Sequence, residues 1–77
     1  MNRHSKTRPP IERLLFLARM LRAGKRVTTL IGAVRFEVDR RTIARDLIFL
    51  QDRLGYVIRW DQRALSYRLL SAPKPQL

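Results

Sequence analysis

The sequence predicts a mainly helical α+β domain, three helices followed by a two-stranded β-hairpin, and three observations carry that prediction. Apolar residues recur at intervals of three and four from Ile11 to Leu54, the period of a helix with one buried face. After Gly55 the interval drops to two, the period of a strand. Gly24 and Gly55, with the capping types Thr28 and Asp39, fall where the helical stretches should start and stop.

The first helix is expected over Pro10 to Ala23. Pro10 suits a first turn, where its missing N–H costs nothing. Ile11, Leu14, Leu15, Ala18 and Leu21 form one apolar stripe, which Leu17 and Met20 widen. Gly24 then stops the helix, with Lys25 and Arg26 behind it. After Val27, Thr28 is the expected N-cap of a second helix over Thr29 to Phe36. Gly32 keeps that helix short, since a mid-helix glycine costs roughly 1 kcal/mol relative to alanine. Glu37 and Val38 form the turn, and Asp39 caps a third helix, RRTIARDLIFLQDRL, ended by Gly55. Its inward stripe is Ile43, Leu47, Leu50 and Leu54. Tyr56, Ile58 and Trp60 alternate with Val57 and Arg59, and Leu65, Tyr67 and Leu69 with Ser66, Arg68 and Leu70. These are two strands, with Asp61 to Ala64 as the hairpin loop.

The folded part is thus placed at 10–70. Residues 1–9 read as a flexible basic arm, and residues 71–77, with two prolines, as a tail or the start of a linker. No internal repeat is visible. A chain of 77 residues has room for one small core, burying about 60% of the surface its unfolded form exposes. With no cysteine, neither a disulfide framework nor a thiolate metal site is expected, and His4 alone in a polar arm reads as a solvated histidine.

Charge is the strongest global fact. Seventeen Lys and Arg, fourteen of them arginine, face six Asp and Glu, a net charge of +11. Such an excess opposes compaction, and a polyanionic partner accounts for it. DNA and RNA fit best, because arginine forks hold phosphates and guanine edges with two bonds each. A membrane partner fits less well, since the cations are spread along the chain and no apolar run reaches the length of a span or a signal peptide. The default compartment is the cytoplasm, at the nucleoid.

Two helices joined by a tight turn, the second strongly capped, describe a helix-turn-helix. At about 100° per residue, the stripe on the third helix leaves Arg41, Ala44, Arg45, Ile48 and Asp52 outward. Arg40 and Thr42 flank them in the first turn. Three arginines, a hydroxyl and a small alanine therefore gather in the N-terminal half, where recognition helices meet base edges. Ala44 allows close approach and suits a thymine methyl. Arginines at a helix N-terminus oppose the helix dipole, so stability alone would not place them there. Thr28, at the start of the second helix, and Arg59, Arg63 and Arg68, on or near the hairpin, complete the expected contacts of the fold. Arg63 at the loop suits an adjacent minor groove. Arg3, Lys6 and Arg8 of the arm have two readings, a groove-following segment and a simple tail. Tyr56 and Trp60 read as hairpin packing.

The run VTTLIGAVRFEVDRRTIARDLIFLQDRLGYVI, followed by SYRL, resembles the N-terminal winged helix-turn-helix of DeoR-like and WYL-domain transcription regulators. The resemblance spans about Ile11 to Leu70 and is densest in VDRRTIARDLIFL. It implies that Arg41, Thr42 and Arg45 contact DNA, that Asp46 orients a neighbouring arginine, and that Tyr67 packs at the base of the wing with Arg63 near its tip. Three positions depart from the pattern: Asp39 stands where serine is usual, Gly32 where leucine is usual, and Ser66 where glycine is common. The chain is read as a fragment or a stand-alone protein, without the sensor domain of longer members.

No serine–histidine–acid set, metal-ligand spacing or glycine-rich phosphate loop is present, so no enzyme activity, cofactor, metal or small-molecule ligand is expected. Ile48, Phe49, Leu17, Met20, Leu30 and Ile31 are more apolar than a small monomer requires. They either mark a homodimer surface or complete the core. The expected function is sequence-specific binding of double-stranded DNA in transcriptional control. The alternatives are a small RNA- or ribosome-associated protein and a module docking on an acidic partner.

Overall fold

A computed structural model describes residues 10–74; the predicted arm, with Arg3, Lys6 and Arg8, and the end of the tail, residues 75–77, lie outside the described residues. The order of elements is α1 (Pro10–Arg22), α2 (Thr29–Phe36), α3 (Arg40–Leu54), β1 (Val57–Asp61) and β2 (Ser66–Ser71). The fold is α+β and mainly helical, and its two strands form one antiparallel hairpin.

Leu17, Val27, Ile43 and Leu50 are fully buried, and Leu21, Ala33, Leu47 and Ile58 close around them. The stripe on α1 is therefore rotated from the expected one. Leu17 lies at its centre, whereas Ile11 and Leu15 are about half exposed. Leu54, expected inward, is also exposed. The core ends at Leu50, whose carbonyl accepts the N–H groups of Gly55 and Tyr56 as the chain turns away into β1. Gly55 makes that turn in the left-handed conformation, with φ 78°.

The face of α1 that carries Leu17 also carries Arg13, and the face of α3 that carries Ile43 and Leu50 also carries Asp46. The two charges meet inside: Arg13 Nε lies 2.6 Å from Asp46 Oδ2 and its Nη2 3.3 Å from Oδ1. This fork joins the first and third helices across 33 residues of chain.

At Gly32, α2 comes close to α3. A Cβ added there would sit 2.9 Å from Ile43 Cγ2, so the missing side chain is what lets Ile43 fill the gap. The leucine usual in the resembled pattern would not fit here. Gly32→Ala gains about 1 kcal/mol of helix propensity but overpacks a fully buried β-branched neighbour, at about 1–3 kcal/mol. The expected net result is a loss of about 1 kcal/mol, seen as a melting temperature lower by roughly 4–8 °C. A melting temperature raised by the substitution would contradict this packing.

Cross-strand pairs in the hairpin run from Val57↔Ser71 to Asp61↔Ser66, with an irregularity after Val57. Asp61 belongs to β1 and Leu65 to the loop, one residue later than expected at each end. The cause is turn chemistry. The Asp61 carboxylate accepts the N–H groups of Arg63 and Ala64, and Leu65 takes a left-handed φ of 51°, which cannot continue a strand. Trp60 and Tyr67 pack edge to face at 5.0 Å, consistent with packing roles. Tyr67 sits at the loop end of the hairpin, against the core, rather than at its open end.

Ser66 ties the hairpin to the α1–α2 connection. Its buried hydroxyl accepts the Val27 N–H at 2.9 Å, and the Tyr67 N–H donates to the Val27 carbonyl at 2.9 Å. No helix of the described residues is long and apolar enough to cross a membrane.

Candidate nucleic-acid interface

The N-terminal half of α3 is positioned by its cap and by the turn before it. Glu37 adopts a left-handed φ of 56° and ends α2, and the Val38 N–H returns to the Ala33 carbonyl at 3.1 Å. Asp39 follows in extended geometry, and its Oδ1 accepts the Arg41 N–H at 2.8 Å. The Arg41 Nε lies 3.4 Å from the same oxygen. Thr42 N–H donates to the Asp39 carbonyl at 2.9 Å.

This arrangement holds the Asp39 carboxyl below its usual range. The main cause is the hydrogen bond from the Arg41 backbone, followed by the Arg41 side chain; the positive charge of Arg45 adds to them, and slight desolvation opposes them. A pKa depressed in the folded state stabilises the fold above the unfolded pKa, about 3.9 for aspartate, and that gain disappears as pH falls through the folded value. Asparagine caps as well and does not titrate. The melting temperature of wild type relative to Asp39→Asn is therefore expected to fall below about pH 4. A difference that stays constant from pH 6 to pH 2 would contradict the cap.

The outward residues stand as the helical spacing requires. Arg40, Arg41 and Arg45 are exposed, Thr42 and Ala44 are half-buried, and Ile48, Phe49 and Asp52 are exposed further along. Among the described residues, the side chains of Arg40 and Arg45 make no hydrogen bond or ion pair. Three guanidinium groups and a hydroxyl thus share the first six residues of one helix, with only a methyl at Ala44 between them.

The hairpin carries a second cationic group. Arg59 and Arg68 are directly opposed across the strands and both exposed, and Arg63 is exposed in the loop. Arg68 Nε lies 3.5 Å from Asp61 Oδ2. Thr28 is half-buried at the N-cap of α2, where its hydroxyl oxygen accepts the Ile31 N–H at 3.0 Å; its own proton remains available to an acceptor.

Some charged positions escaped the sequence reading. Arg13 is the arginine that Asp46 engages; it lies off the stripe expected on α1 and comes inside only because packing against α3 turns the buried face toward Leu17. Arg35 lies over the edge-to-face pair Phe16–Phe36, 5.3 and 5.6 Å from the ring centres, a contact that needs two helices packed together. Lys25 and Arg26, which the sequence shows only as residues following a helix stop, line a cleft together with Ala64, Ser66 and Arg68 of the hairpin.

Among the described residues, no three His, Cys, Asp or Glu side chains come together as metal ligands. No protein family, curated protein or solved structure matches the chain.

Proposed function

We propose that this chain is a non-enzymatic, sequence-specific duplex DNA-binding protein of the winged helix-turn-helix kind, serving transcriptional control. The observation that carries the reading is the start of α3: Arg40, Arg41 and Arg45 exposed around Ala44, with two of the three unpaired within the described residues. A helix is about 10–12 Å across and the major groove about 12 Å wide, so the N-terminal half of α3 enters with its arginines against base edges. Guanidinium forks match the O6 and N7 acceptors of guanine, Ala44 faces a thymine methyl, and the α3 dipole favours a nearby phosphate. In this reading the hairpin is the wing, Arg63 reaches the adjacent backbone or minor groove, and Arg59, Arg68 and Thr28 hold phosphates. The likeness to DeoR-like and WYL-domain regulators belongs to the same proposal. So does a homodimer on two half-sites, for which the exposed Ile48 and Phe49 on the same helix are the candidate contact.

Competition separates this reading from its rivals. Duplexes selected from random DNA are expected to displace an equal length of single-stranded RNA from the protein at fixed salt. RNA winning that competition, or no duplex being enriched, would overturn the proposal. Arg63→Ala is expected to weaken selected and scrambled duplexes alike and to lower the salt slope by about 1, as for loss of one phosphate contact. Unchanged slope in that variant would remove the hairpin loop from the interface.

A further inference from the structure

We infer that a cleft between the α1–α2 connection and the hairpin is a phosphate-binding site, taking one phosphodiester of the nucleic-acid backbone. The inference rests on the DNA-binding reading for the source of the phosphate, but the site itself is argued from its own residues. The cleft has a volume of about 200 Å³ and is lined by Gly24, Lys25, Arg26, Ala64, Ser66 and Arg68. Three of those six residues are cationic, from two segments that are far apart in sequence.

Local structure holds them there. Ser66 ties the connection to β2 through Val27, which sets the backbones that carry these cations side by side. Arg26 Nε donates to the Leu65 carbonyl at 3.2 Å. That contact uses one edge of the guanidinium and leaves its terminal nitrogens without a partner among the described residues. Leu65 stands in a left-handed conformation that glycine adopts freely and leucine does not. Strain of this kind concentrates where a chain serves a ligand, and here it falls at the carbonyl that holds Arg26.

Charge points the same way. Arg59 and Arg68 form a directly opposed cross-strand pair, and like charges in that relation destabilise a hairpin. Asp61 relieves it only in part. Its Oδ2 lies 3.5 Å from Arg68 Nε, while its Oδ1 is taken by the Arg63 and Ala64 N–H groups. The Lys25 side chain has no partner among the described residues. A bound dianion or phosphodiester would offset what the protein leaves unbalanced, with Arg26 and Arg68 offering forks and Lys25 a point charge.

Two arms test the site and its source. In the first, inorganic phosphate is titrated into the isotope-labelled protein, and the amide resonances of Lys25, Arg26 and Ala64 to Arg68 are expected to shift at millimolar concentration. Lys25→Gln combined with Arg26→Gln should abolish those shifts. Lys25→Gln alone, which breaks no contact within the described residues, should weaken them without changing the melting temperature. In the second arm, the double variant is expected to bind a selected duplex with a salt slope lower by about 0.9, one phosphate fewer. Tight wild-type duplex binding with an unchanged slope in the variant, and no phosphate shifts in the cleft, would overturn the site and leave the DNA reading intact. Phosphate shifts in the cleft of a protein that binds no duplex would support the site, identify free phosphate as its ligand, and sink the DNA reading.

Discussion

Asp46→Ala is expected to destabilise the domain by about 3–5 kcal/mol, a large share of what a domain of this size holds in reserve. Asp46 and Arg13 retain only 10% and 12% of their side-chain exposure. Removing the carboxylate leaves a guanidinium nearly buried with no counter-charge and strips two hydrogen bonds from the contact between α1 and α3. The cost arises from that orphaned charge more than from the worth of the pair. Replacing both partners, Arg13→Met with Asp46→Leu, should therefore recover much of the loss. Urea denaturation followed by circular dichroism measures all of these. Asp46→Ala within 1 kcal/mol of wild type would show that the pair is open to water in solution.

The second large effect is on binding. Arg41→Ala and Arg45→Ala are each expected to weaken a selected duplex by about 1–3 kcal/mol, if each fork grips a base edge. Together they should cost a hundredfold or more, with less loss on scrambled DNA than on the selected site. Neighbouring residues on one helix need not add strictly. Stability should hold or rise, because both side chains are exposed and both oppose the α3 dipole. The Arg41 Nε–Asp39 contact, at 3.4 Å and exposed, contributes little to the fold. Full affinity in the double variant would remove the arginines of α3 from the interface.

The two predictions differ in how far they were legible in the sequence. The outward face of α3 follows from local rules. Asp39 and Gly55 cap the ends, and Ile43, Leu47 and Leu50 orient the helix, so the exposure of Arg41 and Arg45 needs no knowledge of the rest. On α1 the same reasoning picks a neighbouring stripe. That helix is apolar on several sides, and only packing against α3 decides that Leu17 is central while Ile11 and Leu15 stay half exposed. The Arg13–Asp46 pair and the Ser66–Val27 tie connect segments 33 and 39 residues apart, beyond the reach of any periodic pattern. Leu65 escapes for another reason, and so does the left-handed conformation of Glu37, although the sequence already places Glu37 in the turn. Both hold left-handed turns where glycine or asparagine would announce them. Gly32 announces itself, but its purpose is visible only beside Ile43.

Chemical-shift mapping with a selected duplex tests the central claim most directly, because it reports contact residue by residue without any substitution. The largest shifts are predicted at Arg40 to Arg45 of α3, with a second group at Arg63 and its neighbours in the loop. Shifts concentrated instead on the α1–α2 face around Leu15 and Arg35, with α3 unchanged, would contradict the account.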